Sequence, residues 1–307
     1  MNSSIIVKAP ATVANMGCGY DTIGFALEGI YEEIEVSKRE DNKLVIESIK
    51  GADLSLKATE NVATIAVKSL LNELGIDQGF NFRIVKHFKP GSGLGSSASS
   101  AAGAVFGVNH LLSSPYSTAD LLPFALEGEA FASKSYHADN VAPSLIGGCI
   151  LIRSYHPLDF FSLPIAEELQ ILIVRPFAEI KTSEAKSILP KKIEVQTARN
   201  QWGNLASLVH AFHTKNWQRL NDSVQDFIAE PVRKVLIPGY DSVKEIALEN
   251  ESVGFNISGS GPSIFMLFQN TDSLNNAKKE ILTLYENMSI SCDSFITRMS
   301  NQGCQID

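Results

Sequence analysis

Apolar and polar residues alternate along several short stretches in the first half of the chain, and a period of two is typical of strands with one buried face. The predicted strands are IIVKAP (5–10), EEIEVSKRE (32–40), NKLVIESI (42–49), FNFRIVKHF (80–88) and GGCILIRSY (147–155). Between Glu60 and Leu74 the apolar residues instead recur every three or four positions, which predicts a helix ending at Gly75. A further helix is predicted over 118–135.

The second half repeats this mixture. Its predicted strands are LQILIVRP (169–176), SVGFNIS (252–258), SIFMLF (263–268) and CDSFITRM (292–299), and its predicted helices cover 182–190, 194–213, 217–229, 240–250 and 273–287. Over SYHPLDFFSLP (154–164) the sequence shows neither the helical spacing nor the strand alternation of apolar residues, and two prolines interrupt the chain. This pattern predicts a domain boundary. We therefore expect an α+β protein with two domains, residues 1–160 and 161–307.

The stretch PGSGLGSSASS (90–100) stands between a predicted strand and a helix whose apolar face starts at Ala98. A glycine-rich turn that opens a helix exposes backbone N–H groups at the positive end of the helix dipole, where a phosphate group binds well. The stretch lacks the GK[ST] ending of a Walker loop and the GxGxxG spacing of a dinucleotide fold. Taken alone, it fits either an anion site or a tight structural turn.

The charge of the chain disfavours two classes of binding partner. The chain has 34 acidic and 26 basic residues among 307, a net charge of −8, which disfavours nucleic acid and anionic membranes. Neither a run of ~18 apolar residues nor a signal peptide is evident, so we expect a cytoplasmic protein. The four cysteines have no metal or redox spacing and are expected to be reduced.

Three further segments carry polar residues that secondary structure does not explain. They are PATVANMGCGYD (10–21), YHADNVAPSLIGG (136–148) and NISGSGPS (256–263). The first fits a turn with Asx capping when it is taken alone. Together with the glycine-rich stretch, however, the three segments form an ordered set that spans most of the chain.

This set resembles the signature motifs of the GHMP kinase superfamily and, within it, the homoserine kinase family. PATVANMGCGYD is similar to the PATxANxGxGxD opening, GSGLGSSAS to the phosphate loop, and HADNVAP with GFNISGSGP to the later signatures. The resemblance implies a ribosomal protein S5 domain 2-like N-terminal domain and a ferredoxin-like C-terminal domain. It also implies ATP-dependent phosphorylation of L-homoserine to O-phospho-L-homoserine, in threonine biosynthesis, by a homodimer.

For the nucleotide, the resemblance implies one set of ATP-binding residues and two Mg²⁺ ligands. The ATP set is Asn61, Pro90, Gly91, Ser92, Gly93, Leu94, Gly95, Ser96, Ser97, Ala98, Ser99 and Gly259. The Mg²⁺ ligands are Ser97 and Glu129, with Glu129 preferred over Glu127 because its distance from Asn140 along the chain matches the family. The metal bridges phosphate oxygens and neutralises the charge that moves to the leaving group.

For the acceptor, the resemblance matches Asp21 to the substrate ammonium and Arg233 to its carboxylate. Asn15, Asn140 and His137 line the amino acid and its hydroxyl, and Asn140 and His137 are the catalytic candidates; Thr182 and Lys186 complete the substrate set. An asparagine does not accept a proton at neutral pH, so catalysis rests on positioning and charge neutralisation. Asp139 is the alternative, as a general base.

The sequence departs from the family pattern at three positions. Cys18 replaces a proline, Pro90 is one residue nearer Gly93 than is usual, and Lys186 stands where a second carboxylate-binding arginine is expected. Lysine lacks the planar fork of arginine, which predicts a weaker grip on the amino acid. Two other functions stay open: a kinase for another small alcohol of the mevalonate type, and a non-catalytic sensor on the same fold.

Overall fold

Seven strands form the first sheet in the computed structural model, which describes residues 4–178, 185 and 187–307. They are β1 (Ser4–Ala14), β2 (Ile23–Lys38), β3 (Leu44–Lys50), β4 (Phe80–Lys86), β5 (Cys149–Tyr155), β6 (Leu158–Leu163) and β11 (Gln305–Ile306). The order is β11-β1-β2-β4-β3, with β5 paired to the first residues of β2 and β6 paired to β5.

Four helices pack on this sheet and on each other: α1 (Val62–Leu74), α2 (Ser96–Leu111), α3 (Leu122–Ser133) and α4 (Ala138–Ile146). The helix predicted from Glu60 begins two residues later because Asn61 is its N-cap, and it ends at Gly75 in the left-handed conformation, as the pattern predicts. Helix α2 begins at Ser96, immediately after the glycine-rich turn.

The second sheet contains β7 (Gln170–Pro176), β8 (Gly254–Ile257), β9 (Ile264–Phe268) and β10 (Cys292–Thr297) in the antiparallel order β10-β7-β9-β8. The α-helices described from residue 188 onward are α5 (Val195–Thr214), α6 (Trp217–Ser223), α7 (Glu230–Arg233), α8 (Tyr240–Glu249) and α9 (Thr271–Asn287). A central first strand flanked by the last and the third strands is typical of a ferredoxin-like layer.

Strand β6 was not predicted, and one predicted helix is too long. Residues 158–163 form strand β6, although the sequence shows neither the helical nor the strand period there. The helix predicted over 217–229 ends at Ser223, because the Asp226 carboxylate accepts hydrogen bonds from the N–H groups of Ile228, Ala229 and Glu230 and starts helix α7 instead. The boundary between residues 160 and 161 stays a prediction.

A shared hydrophobic core joins the two sheets. One buried cluster takes Val13 and Phe25 from the first sheet and Ile171 and Phe265 from the second. The rings of Phe25 and Phe265 meet edge to face with centroids 6.1 Å apart. At the far end of the chain, β11 pairs with β1, so the last residues return to the first sheet. The contacts of the shared core hold the two sheets against each other.

Within the described ranges, we find no helix with the length and apolar character needed to span a membrane. All four cysteines are free thiols, as the sequence predicted.

Candidate active site

A cavity of about 250 Å³ lies where the two halves of the chain meet, and we call it the cleft. Its lining includes thirteen of the predicted site residues: Asn15, Asp21, Pro90, Gly91, Gly93, Gly95, Ser96, Ser97, Glu129, His137, Asn140, Arg233 and Gly259. The fold therefore brings all four sequence motifs to one place, although they are far apart in the sequence.

The glycine loop (residues 90–95) ends at the N-terminus of helix α2. Gly91, Gly93 and Gly95 all have positive φ, and Gly95 is the N-cap. The first N–H group of the helix with an intrahelical acceptor is that of Ser99, which donates to the Gly95 carbonyl at 2.9 Å. The preceding N–H groups of the first turn have no intrahelical acceptor and lie at the positive end of the dipole. This loop can hold an anion.

Two glycines of this loop are required by close contacts with neighbouring residues, whereas a Cβ atom on Gly91 would meet nothing within 4 Å. A Cβ atom on Gly95 would lie 2.2 Å from the Thr12 hydroxyl, and one on Gly93 would lie 2.5 Å from the Ser258 carbonyl oxygen. The Ser258 hydroxyl donates to the Gly93 carbonyl at 2.7 Å. The turn between β8 and β9 thus holds the loop in place from the second half of the chain.

Two oxygen ligands suited to Mg²⁺ lie together in the cleft. The Ser97 hydroxyl on α2 donates to Glu129 Oε2 on α3 at 2.6 Å, and the Glu129 side chain is buried. Glu127 points elsewhere: it is exposed and accepts a hydrogen bond from the Tyr136 hydroxyl at 3.0 Å. Hard oxygen donors beside an anion-binding loop are what Mg²⁺ on a nucleotide requires. The residues fit the metal, and Glu129 fits better than Glu127.

Polar side chains from the segments PATVANMGCGYD and YHADNVAPSLIGG form the other wall of the cleft. The Asn15 amide donates to the Gly259 carbonyl at 2.7 Å, and its Oδ1 accepts from the Asp21 N–H at 3.0 Å. Asp21 Oδ1 lies 3.4 Å from His137 Nδ1. Both Asn15 and Asp21 have positive φ, a conformation that these two residue types tolerate well. The tight turn therefore aims a carboxylate into the cleft.

Asn140 is held by a hydrogen bond from the first motif. The Thr12 hydroxyl donates to Asn140 Oδ1 at 2.8 Å. Asn140 lines the cleft, and with its oxygen engaged in this way it has its amide N–H groups left as donors. An acceptor hydroxyl placed there would receive a hydrogen bond and would not lose a proton to this residue.

Asp139, the neighbour of Asn140, is a buried carboxyl in the cleft wall. It is 1% exposed, and its Oδ1 has no hydrogen-bond partner among the described residues. Burial, followed by the charge of Asp21, raises the pKa of Asp139 to about 7. One ligand atom from each of Asp21, His137 and Asp139 lies within 4.8 Å of the others. The charges of Asp21 and His137 therefore act directly on the Asp139 carboxyl group.

The Asp139→Asn variant is expected to be more stable than the wild type at pH 8, with a smaller gain at pH 5. A carboxyl whose pKa is raised on folding destabilises the folded state as it ionises, and this penalty grows from the unfolded pKa near 4 to the folded pKa of about 7. Urea unfolding of both proteins at the two pH values measures it. An equal gain at pH 5 and pH 8 would mean that Asp139 ionises normally.

Arg233 ends the short helix α7 and is 4% exposed. Its Nε–H donates to the Ala185 carbonyl at 3.1 Å and its Nη1–H to the Gly259 carbonyl at 3.0 Å. The guanidinium also lies 5.2 Å from the centre of the Tyr20 ring. A guanidinium has five N–H groups, so this one is fixed by the protein and still has donors for a carboxylate in the cleft.

Several predicted residues lie outside the cleft lining. Ser92 and Leu94 in the loop and Ala98 and Ser99 in the first turns of α2 are buried, and the Ser99 hydroxyl donates to the Pro10 carbonyl at 2.8 Å. Asn61 caps helix α1 and lines a neighbouring cavity of about 260 Å³, together with Pro90, Ser96 and Ser97. Their proposed contacts with ATP stay predictions. Thr182 and Lys186 lie outside the described residues.

Other residues that line or support the cleft were not predicted from the sequence. Ala14, Ala132, Ser133 and Ser260 also line the cleft, Tyr20 covers Arg233, and Thr12 holds Asn140. The charged pair Glu32 and Lys86 is buried beneath Ser96. A signal for this pair did exist, because Glu32 occupies a position that the alternation of β2 assigns to the core.

The chain matches two family profiles, described as GHMP kinases N terminal domain over residues 61–148 and GHMP kinases C terminal over residues 208–287. It is 38% identical to a homoserine kinase of Chloroherpeton thalassium, covering 97% of this chain and 98% of that one, and 35% identical to a homoserine kinase of Methanococcus maripaludis, covering 98% and 97%.

The crystal structure of homoserine kinase from Cytophaga hutchinsonii is 41% identical and superposes with a TM-score of 0.96, covering 100% of this chain and 98% of that one. A mevalonate kinase of Methanococcus jannaschii shares the fold alone, with 19% identity, a TM-score of 0.73 and coverage of 97% and 98%. The two-domain fold predicted from the motifs is confirmed. The chain belongs to the homoserine kinase family of the GHMP kinases.

Proposed function

We propose that the protein transfers the γ-phosphoryl group of ATP to the side-chain hydroxyl of L-homoserine, forming O-phospho-L-homoserine and ADP. One observation carries the proposal: a single cleft contains an anion-binding glycine loop, the carboxylate of Asp21 and the guanidinium of Arg233. The loop suits a triphosphate, and the opposite charges suit the ammonium and carboxylate groups of an amino acid. Full-length similarity to homoserine kinases supports the same substrate.

Ser97 and Glu129 are the proposed ligands of Mg²⁺. When bound there, the ion would supply charge neutralisation at the phosphate oxygens. Their position supports this assignment, since Ser97 lies in the first turn of α2, whose N–H groups are at the positive end of the helix dipole, and Glu129 accepts a hydrogen bond from Ser97. Asn61, in the neighbouring cavity, is proposed to lie near the adenine end of the nucleotide.

Asn140 and His137 are proposed to position the acceptor. In a loose phosphoryl-transfer transition state, the attacking hydroxyl keeps its proton until late, so a strong base is dispensable. Asn140 offers N–H donors to the hydroxyl oxygen, and His137 lies against Asp21, the proposed partner of the ammonium. The chain thus contributes alignment and electrostatics to the reaction.

The purified protein is expected to form ADP from ATP and Mg²⁺ with homoserine and with no other alcohol in a panel of homoserine, serine, mevalonate and shikimate. Mass spectrometry should detect O-phosphohomoserine in that reaction alone. ADP formation with mevalonate alone would assign the protein to the other substrate class. Binding of ATP and homoserine without any ADP would identify a sensor.

A further inference from the structure

A fully buried ion pair lies beneath the first turn of helix α2. Lys86 Nζ contacts both carboxylate oxygens of Glu32, at 2.9 and 3.0 Å. The two side chains are 3% and 0% exposed, respectively. Neither residue is among the proposed contacts with homoserine or the metal and neither lines the cleft, whereas Lys86 lines the neighbouring cavity that also contains Asn61.

The two charges occupy positions that the fold otherwise fills with apolar side chains. Glu32 on β2 pairs directly with Lys86 on β4, and both point to the face of the sheet that the helices cover. The preceding and following core positions on these strands are apolar: Phe82 and Ile84 on β4, and Ile34 and Val36 on β2. A buried ion pair adds little stability over apolar residues of similar volume. Stability alone therefore does not account for the pair.

The pair is tied to helix α2 through two serines. Ser96 Oγ donates to Glu32 Oε1 at 2.5 Å, and Ser100 Oγ donates to Glu32 Oε2 at 2.7 Å. Lys86 Nζ donates to both hydroxyl oxygens, at 2.8 and 2.9 Å, and reaches the Ser96 carbonyl oxygen at 3.3 Å. The hydroxyl of Ser96 is thus fully hydrogen-bonded to the ion pair in the core. Only the backbone N–H group of Ser96 is left to bind an anion in the glycine loop.

We propose that Glu32 and Lys86 are positioning residues that fix the first turn of α2 for nucleotide binding. The helix needs such an anchor because its N-cap is Gly95, which has no side chain to bond the first turn, and because the preceding loop is rich in glycine. The pair forms hydrogen bonds with two residues one helical turn apart, Ser96 and Ser100. It therefore sets both the position and the direction of the exposed N–H groups. Fixed donors bind an anion more tightly than donors that must first be ordered.

This inference rests on the proposed function only in that a nucleotide phosphate occupies the glycine loop. Its test therefore measures ADP affinity by calorimetry, a quantity that does not depend on the identity of the alcohol. The double variant Glu32→Met/Lys86→Met replaces the pair with apolar side chains of similar length and leaves no unpaired charge. It is expected to unfold within a few degrees of the wild type.

In that variant the Kd for ADP and the KM for ATP are expected to rise about tenfold, which corresponds to the loss of one or two hydrogen bonds that order the turn. The KM for homoserine should stay within about twofold. A matched control is Arg175→Met/Asp293→Met, which removes an ion pair between β7 and β10 that does not line the cleft. This control is expected to bind ADP as the wild type does.

A folded double variant with wild-type ADP affinity would overturn the inference, and so would an equal loss in the control variant. If the double variant does not fold, Ser100→Ala provides the test, because it keeps the ion pair and removes one of its two attachments to α2. Its Kd for ADP is expected to rise about threefold, near the lower limit for one hydrogen bond; no rise would also overturn the inference. A wild type that binds ADP but leaves homoserine unphosphorylated would refute the proposed function alone.

Discussion

Replacing Glu129 with glutamine is expected to lower kcat/KM for homoserine phosphorylation about a thousandfold. Glutamine keeps the shape of the side chain and its hydrogen bond with Ser97, which spans 2.6 Å in the wild type, but it removes the negative charge. A metal ion contributes several kcal/mol to stabilisation of the transition state, and about 4 kcal/mol corresponds to a thousandfold in rate. Steady-state rates at several Mg²⁺ concentrations measure the effect, and excess Mg²⁺ should restore part of the loss.

Glu127→Gln is the matched control for this prediction. It makes the same change on the same helix two residues earlier, at an exposed side chain that contacts Tyr136 and does not line the cleft. Its kcat/KM is expected to stay within about twofold of the wild type, since isolated surface changes have small effects. Equal losses in the two variants would show that α3 responds to charge in general, and the assignment of Glu129 to Mg²⁺ would be wrong.

The elements that the sequence predicted well are those whose signals are local. Helix α1 has an amphipathic face, an asparagine N-cap and a terminal glycine, and each of these acts within a few residues of the helix. Strand β4 shows the same agreement, because its buried face alternates strictly with its exposed face. Where one face is buried and the other is wet, the period of two is visible without knowledge of the partners.

Strand β6 was missed because its pairing is not visible in the sequence. It lies at the edge of the first sheet with five of its six residues at least partly exposed, so it lacks an apolar and polar alternation. The two prolines that suggested a break, Pro157 and Pro164, flank the strand on either side. Proline at the ends of an edge strand is compatible with pairing. Strand β6 is defined by its pairing with β5, and the pattern of residues within 158–163 does not show that pairing.

The site shows the same division between local and long-range information. The four motifs predicted the glycine loop, Asp21 and Asn140, the family resemblance added Glu129, and the fold gathers them in one cleft. The contacts that hold those residues join distant parts of the chain: Thr12 to Asn140, and Tyr20 to Arg233. A single sequence contains no record of which residues meet across the fold. Even the charged core position at Glu32 becomes meaningful only once Lys86 is placed opposite it.

Arg233→Leu is expected to raise the KM for homoserine about a hundredfold while the KM for ATP stays within about twofold. Hydrogen bonds to charged groups contribute about 1.5–3 kcal/mol, and a hundredfold corresponds to about 2.7 kcal/mol. Leucine also leaves the buried carbonyl oxygen of Ala185 without the hydrogen bond it now accepts, whereas the Gly259 carbonyl keeps the hydrogen bond from Asn15. Thermal unfolding of the variant must therefore accompany the kinetics, so that a loss of folded protein is not counted as weaker binding.

Arg233→Lys separates the charge of this side chain from its geometry. Lysine keeps a positive charge in the cleft but loses the planar fork and the flat face that lies over Tyr20. We expect an intermediate rise in the homoserine KM, about tenfold, if a carboxylate is held in a bidentate manner. A rise in the lysine variant equal to that in the leucine variant would mean that geometry is decisive and charge alone contributes nothing. Equal increases in the KM values for ATP and homoserine in both variants would instead show that Arg233 supports the cleft as a whole, through Gly259, and does not bind the amino acid.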